Sequence, residues 1–334
     1  MKIAVVGGGY AGLAVTWNFL KYPQVSVDLF DPNPIGGSAS KVSAGLLHPF
    51  AGLHSKKIIE ADEGIKETRE LLNIAASELS LPVSIESGLL RPALTKQQVD
   101  DYTLCAKRFP ETRWLSTDEC LSLYPSLSPN PGLWIPEALT VNTHLYLEGL
   151  WNASRRKGAN WEQRSVHSLE ELKDYDAIIL CTGAQATPFL EVHNIKLSPL
   201  KGQIIELEWP SELPLMPFPI NSQVYLIMNP DNKSCSIGAT FERKFSDHLP
   251  DIAVAKQELL PKALELIPAL SDAKILRCRA ALRACTPDHR PLIKRLTDTC
   301  WIFTGLGSKG LIYHALYAKK IVDQVVRNGE SYHG

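Results

Sequence analysis

The hexamer Gly7-Gly8-Gly9-Tyr10-Ala11-Gly12 fits G-x-G-x-x-G, with glycine at 7, 9 and 12. In such a turn the first glycine permits a sharp bend and the second lets backbone approach a diphosphate. The third lets the following helix pack on the preceding strand. The start of that helix offers unpaired N–H groups and a positive partial charge to phosphate oxygens. Asp31 follows about 20 residues on, where a carboxylate accepts hydrogen bonds from ribose hydroxyls. The hexamer alone does not separate a nicotinamide from a flavin dinucleotide. A second small-residue stretch beyond Pro32, Gly36-Gly37-Ser38-Ala39-Ser40 and then Ser43-Ala44-Gly45-Leu46-Leu47, offers amides and hydroxyls to a larger cofactor.

A different chemistry lies near the other end. Arg277, Arg279 and Arg283 recur at even spacings within Ile275 to Ala284, so a strand there carries all three on one face. Arginine's planar fork suits a carboxylate better than lysine does.

These residues need elements to hold them. Lys2 to Val6 is a short apolar run ending in glycine and reads as a buried parallel strand. A helix over Tyr10 to Lys21 and a strand over Val25 to Phe30 complete a βαβ start. Lys56 to Ser80 reads as a long helix, with Ile58, Ile65, Leu72 and Leu79 on one face. Ser116 to Glu119 fits a capping box for a helix ending near Tyr124. Asn142 is an N-cap for a helix to Lys157, with Gly158 after it. The basic run Arg155 to Lys157 then complements the helix dipole.

Ala177 to Leu180 is another strand, leading into the turn Cys181-Thr182-Gly183-Ala184. Further strands are expected at Ile204–Trp209, Val224–Met228 and Ser236–Ala239, a helix at Ala253–Ile267, and a strand at Trp301–Thr304. The turn from Gly305 to Gly310 then opens a helix from Leu311 to Val326. The fold class is α/β with α+β mixing: a Rossmann-like nucleotide-binding domain and a second, mostly antiparallel β domain.

Composition narrows the field. At 334 residues, 45% hydrophobic and 21% charged, the chain is an ordinary globular protein with room for two domains. Thirty-five basic against thirty-six acidic residues leave a net charge of −1, which argues against affinity built mainly on neutralising phosphates. The seven cysteines are odd in number and include no C-x-x-C, so they read as reduced, buried thiols in a cytoplasmic protein. The nine histidines form no H-x-x-x-H pair, and no metal site is expected. The apolar stretch up to Leu20 is broken by Gly7 to Gly9 and is read as strand and helix, not as a secretory leader. No run of about 20 apolar residues occurs, so no membrane insertion is expected.

Taken in order, these motifs resemble the D-amino-acid oxidase/glycine oxidase superfamily of FAD-dependent oxidoreductases. Ser43-Ala44-Gly45-Leu46 resembles that family's flavin-side segment, and Lys201-Gly202-Gln203 its basic-G-Q entry into the substrate domain. Tyr225-Leu226 with Ile237-Gly238-Ala239-Thr240 resembles its hairpin. Arg283 to Asp288 with Pro291 resembles R-x-x-T-x-D-x-x-P, and Gly305 to Leu311 the last flavin loop. The stretches Thr286 to Pro291 and Gly305 to Leu311 look most like one branch. That branch is the oxidoreductase part of bifunctional enzymes that make 5-methylaminomethyl-2-thiouridine in tRNA.

The resemblance implies non-covalent FAD. Its site would use Gly7, Gly9, Tyr10, Ala11, Gly12, Asp31, Pro32, Ser38, Ala39 and Ser40, then Ser43, Ala44, Gly45 and Leu46. Val166, ending a strand, would meet adenine. Cys181, Thr182 and Gly183 would sit near the diphosphate, and Gly305, Gly307, Ser308, Lys309, Gly310 and Leu311 near the ring. It further implies that Arg283 anchors a substrate carboxylate, Tyr225 walls the pocket, Lys309 steadies the reduced flavin, and His48 faces the ring. The FAD-binding domain is expected from 1–80, 135–198 and 279–334, and the substrate domain from 81–134 and 199–278.

The implied reaction is oxidation of a C–N bond in an amino acid or N-substituted glycine, with hydride passing to flavin N5. One alternative is oxidative removal of the carboxymethyl arm of a carboxymethylaminomethyl-uridine in tRNA, with Lys56, Lys57 and Lys201 bordering an open flavin edge. Another is a flavin redox sensor without turnover. These residues hold no counterpart of the methyltransferase half, so a small amine or amino acid is expected ahead of tRNA. The oligomeric state is left open.

Overall fold

The structure is a computed structural model that describes residues 1–37, 39–186 and 195–330, with side chains through 327. Ser38, expected at the cofactor, lies outside the described residues. Two sheets dominate. The first runs in the order Asn160–Glu162, Ser26–Phe30, Lys2–Val6, Ala177–Leu180, Cys300–Thr304, Leu292–Arg295. Its pairings are parallel except for the last, an antiparallel hairpin. The central strands Lys2–Val6, Ala177–Leu180 and Cys300–Thr304 are short and almost wholly buried, as parallel strands covered on both faces must be.

The helix Tyr10–Phe19 is buried along its whole length. It is apolar on all sides because the first sheet lies beneath it and the helices Thr143–Arg156 and Gly310–Glu330 pack around it. Helix Ala61–Leu79 packs on those same two helices. Asn142 caps Thr143–Arg156 by accepting from the Leu145 N–H, and Gly158 follows with φ +96°, both as the sequence indicates. The capping box of Ser116 and Glu119 also forms, opening helix Thr117–Leu123.

The second sheet runs Ile275–Cys285, Ser198–Glu208, Ser234–Gly238, Tyr225–Met228, Ile220–Asn221, Leu89–Pro92, Gly132–Ile135, Arg113–Leu115. It is antiparallel apart from the pairing of Ile220 with Leu90. Helix Ile252–Leu266 covers part of it through Ala255, Leu259, Ala263 and Leu266. Strand Ile275–Cys285 stays with this sheet through its whole length.

One element differs sharply from its expectation. Lys56 and Lys57 do not begin a helix: they pair with Ala51 and Phe50 in a two-stranded hairpin. The Ile58 N–H donates to the Pro49 carbonyl at 2.8 Å and closes that hairpin, and Glu60 then takes a left-handed conformation. The helix starts only at Ala61, so Ile58 packs on the core from outside it. A helix at Lys96–Arg108 was not anticipated, because it buries only Gln98, Tyr102 and Cys105.

Candidate active site

The first sheet's strands end where ligands of open α/β sheets bind, outside their carboxyl ends. Gly7 has φ +109°, and a Cβ there would fall 2.4 Å from the Cys181 carbonyl oxygen. The turn therefore lies against the neighbouring strand's end, and only glycine fits. Gly9 stands at the helix start with no side chain capping it. The Tyr10 N–H donates to Ser40 Oγ at 3.1 Å, drawing the second small-residue stretch onto the turn. Asp31 Oδ2 accepts from the Gly8 N–H at 2.7 Å, and Oδ1 accepts from the Asn33 N–H at 2.8 Å. The carboxylate is thereby fixed at the end of its strand, with lone pairs to spare for hydroxyl donors.

A single cavity of about 1240 Å³ runs from this turn to the second sheet. Gly7, Gly9, Tyr10, Ala11, Asp31, Pro32, Ala39, Ser40, Ser43, Ala44 and Leu46 line one side of it. Cys181, Thr182 and Gly183 follow, and then Gly305, Gly307, Ser308, Lys309, Gly310 and Leu311. Val166 is on the wall too, but in the coil after the strand Asn160–Glu162 and not at a strand end.

Two expected contacts sit behind the wall. Gly12 packs on the turn itself, where a Cβ would lie 1.7 Å from the Gly7 oxygen, and Gly45 (φ +77°) packs on the Val141 backbone. Both shape the cradle without lining it.

His48, Arg91, Tyr225 and Arg283 line the far part of the same cavity. Two glycine recesses seat the last two. A Cβ on Gly202 would meet Arg283 Nη2 at 2.3 Å, and one on Gly238 would meet the Tyr225 hydroxyl at 2.3 Å. The Arg283 Nη1 donates to the Thr240 carbonyl at 3.2 Å, and the guanidinium lies 4.6 Å from the centre of the Phe241 ring. Among the described residues no carboxylate pairs with Arg283, and burial pulls its pKa down. Arg277 and Arg279 behave differently: both turn to the buried Glu206, at 3.2 and 3.9 Å. Burial pushes the Tyr225 phenol up, with Arg283 and Arg279 opposing that shift.

Lys309 donates to the His289 carbonyl at 3.2 Å, and burial with nearby Arg290 lowers its pKa. It stands immediately before helix Gly310–Glu330, so a cation and a helix N-terminus converge on one spot. That pairing is unfavourable by itself and favours an anion between them. His48 is pulled down to about 3, first by burial and then by Arg91, and is neutral at ordinary pH.

Arg91 was not singled out by the sequence. It is 1% exposed and donates to the carbonyls of Asn221, Phe50 and Gly52. It thus ties the segment after His48 to the second sheet. The expected basic rim also changes. Lys57 is held by Asp62 and Glu111, both at 2.9 Å, and Lys201 is buried near Glu242 and Asp247. Only Lys56 of the three is exposed.

The lining fits an elongated dinucleotide with a ring system. Such a group would meet a carboxylate with spare acceptor capacity at Asp31 and unpaired N–H groups at the open helix start. Thr182 Oγ1 and His48 Nδ1 are buried on the wall with no hydrogen-bond partner among the described residues, which a bound group can satisfy. Among the described residues no helix is long and apolar enough to cross a membrane.

Comparison with known proteins agrees with this geometry. The family model described as FAD dependent oxidoreductase (DAO) matches residues 2–324. The bifunctional protein ThiO/ThiG of Trichormus variabilis is 25% identical over 358 residues, covering 97% of this chain and 52% of that protein. The tRNA 5-methylaminomethyl-2-thiouridine biosynthesis bifunctional protein MnmC of Marinobacter nauticus is 23% identical over 368 residues, covering 97% and 55%. The chain spans about half the length of these curated relatives. Among solved structures, glycine oxidase from Geobacillus kaustophilus superposes with a TM-score of 0.83 at 21% identity, covering 97% of this chain and 94% of that one.

Proposed function

The chain belongs to the DAO family of FAD-dependent oxidoreductases, and on that premise we propose that it oxidises the C–N bond of an amino acid or N-substituted glycine. The observation that carries this reading is Arg283: a guanidinium on the cavity wall, seated over Gly202, with no carboxylate partner among the described residues. A half-buried cation so placed is short of an anion, and a planar bidentate carboxylate is the partner its fork fits. FAD, when bound, supplies the two-electron acceptor for the C–H bond beside the nitrogen.

The chain's own residues do the rest. Arg283 takes the carboxylate, and Tyr225 beside it presents a phenol that stays protonated and can donate to the same group. Phe241 shields one face of the guanidinium from water, which strengthens the ion pair. His48 remains a neutral wall at working pH. Lys309 and the helix start at Gly310 hold positive charge at the far side of the cradle, where negative charge accumulates on reduction. The test is anaerobic mixing of the holoenzyme with glycine, sarcosine and D-amino acids while following flavin absorbance. Bleaching by one of them supports the reading, and bleaching by none refutes it.

A second reading, oxidation of a carboxymethylaminomethyl arm carried on tRNA, has one observation in its favour. Exposed Arg243 and Lys244 follow Phe241 at the cavity, and exposed Arg290 and Lys56 stand on two further segments next to it. An N-substituted glycine on tRNA presents the same carboxylate and amine to Arg283. Bleaching by modified tRNA but not by free amines, weakened by added salt, would put this reading first.

A further inference from the structure

Among the described residues Arg283 has no carboxylate partner, yet its position is tightly specified from one residue away. Its Nη1 donates to the Thr240 carbonyl. Thr240 is 1% exposed, and its hydroxyl donates to Glu242 Oε1 at 2.6 Å while accepting from the Gln203 N–H at 2.9 Å. The Gln203 side chain donates to the same Glu242 oxygen at 2.9 Å. The backbones of Glu242 and Lys201 exchange both hydrogen bonds, at 3.0 and 3.1 Å, fixing this segment to strand Ser198–Glu208. That strand pairs Leu200 with Arg283. The second oxygen of Glu242 faces the buried Lys201 ammonium at 4.0 Å.

We propose that Glu242 is the positioning residue of the carboxylate site, holding Arg283 in place through Thr240. The inference rests on the reading of Arg283 as the anchor. A carboxylate in direct contact with Arg283 would neutralise it before a substrate arrived. Here the anion acts through a neutral carbonyl, and its own charge is met by Lys201. The guanidinium is oriented while its charge remains available.

The experiment titrates FAD-loaded protein with acetate, a carboxylate that cannot be oxidised at a C–N bond, and reads the flavin absorbance shift. Glu242→Ala raises the acetate Kd about tenfold, within the coupling range of neighbouring groups. Thr240→Val, which removes the hydroxyl and keeps the carbonyl, moves it the same way. Glu242→Gln retains an acceptor oxygen and stays within about threefold of the parent. In an Arg283→Met background Glu242→Ala adds nothing, because the residue it positions is gone.

A folded, FAD-loaded Glu242→Ala protein that binds acetate like the parent overturns the inference. So does an undiminished loss in the Arg283→Met background. If Glu242→Ala does not fold, parent-like binding by Thr240→Val overturns it equally. Acetate binding as tight in Arg283→Met as in the parent refutes the anchor reading itself, a separate result.

Discussion

Gly202→Ala separates function from stability, because the atom its methyl meets is the end of a flexible side chain. The new Cβ would lie 2.3 Å from Arg283 Nη2 and 2.5 Å from Cζ. Ordinary contact begins near 3.5 Å, so the guanidinium must withdraw by roughly 1 Å. A shift of that size stretches its 3.2 Å hydrogen bond to Thr240 beyond useful length. Gly202 itself has no left-handed φ, so alanine costs its backbone little. We expect unfolding free energy to change by less than about 1 kcal/mol. A displacement of roughly 1 Å at a binding group costs on the order of 100-fold, so kcat/KM for the amine that reduces the flavin should fall about 30- to 100-fold. Steady-state kinetics beside thermal unfolding of the FAD-loaded protein measures both. A variant that keeps kcat/KM within about twofold refutes the placement of Arg283 as the anchor.

Gly12→Ala is the opposite case: its Cβ would lie 1.7 Å from a backbone oxygen of Gly7, which cannot swing aside. It should lose several kcal/mol of stability and shed FAD, read as unfolding and as cofactor retained on gel filtration. Lys309→Met should lower the flavin reduction potential by roughly 30 mV, the two-electron equivalent of about 1.4 kcal/mol, and an unchanged potential in redox titration would remove Lys309 from the site. Acid should destabilise the fold through two histidines with lowered pKa, His48 held down to about 3 and His314 to about 4. The unfolded chain protonates them below about pH 6.5 while the fold does not, so each removes up to ~1.4 kcal/mol per pH unit as pH falls from there toward 4. Denaturant unfolding between pH 7 and 4.5 checks this, and a flat profile contradicts it.

What could be read in advance was local. Gly7, Gly9, Gly12 and Asp31 carry their meaning in spacing, and the Ser116 and Asn142 caps need only their own turn of chain. The ordered motifs brought Tyr225, Arg283 and Lys309 to one cavity from positions far apart in sequence. What escaped depends on tertiary burial. Arg91 looks like any arginine before proline until three distant carbonyls surround it. Lys201 looks like a rim cation until the 242–247 segment folds over it. The helical pattern from Lys56 ran too far because Ile58 continues the apolar spacing of Ile65 and Leu72, and only the hairpin with Phe50 and Ala51 shows why Lys56 and Lys57 are strand. Gly12 and Gly45 fit the cofactor motif through packing behind the wall, a distinction that residue type cannot make.

On the reading proposed above, this flavoenzyme grips an amine's carboxylate with Arg283. Single-turnover reduction of FAD under anaerobic conditions, parent against Arg283→Met, tests it most directly with the free amine that bleaches the parent fastest. Both proteins should hold FAD, and reduction per concentration of amine should fall about thirty-fold or more in the variant, the equivalent of losing a charge-assisted contact of about 2–5 kcal/mol. Equal reduction rates in the two proteins would contradict it.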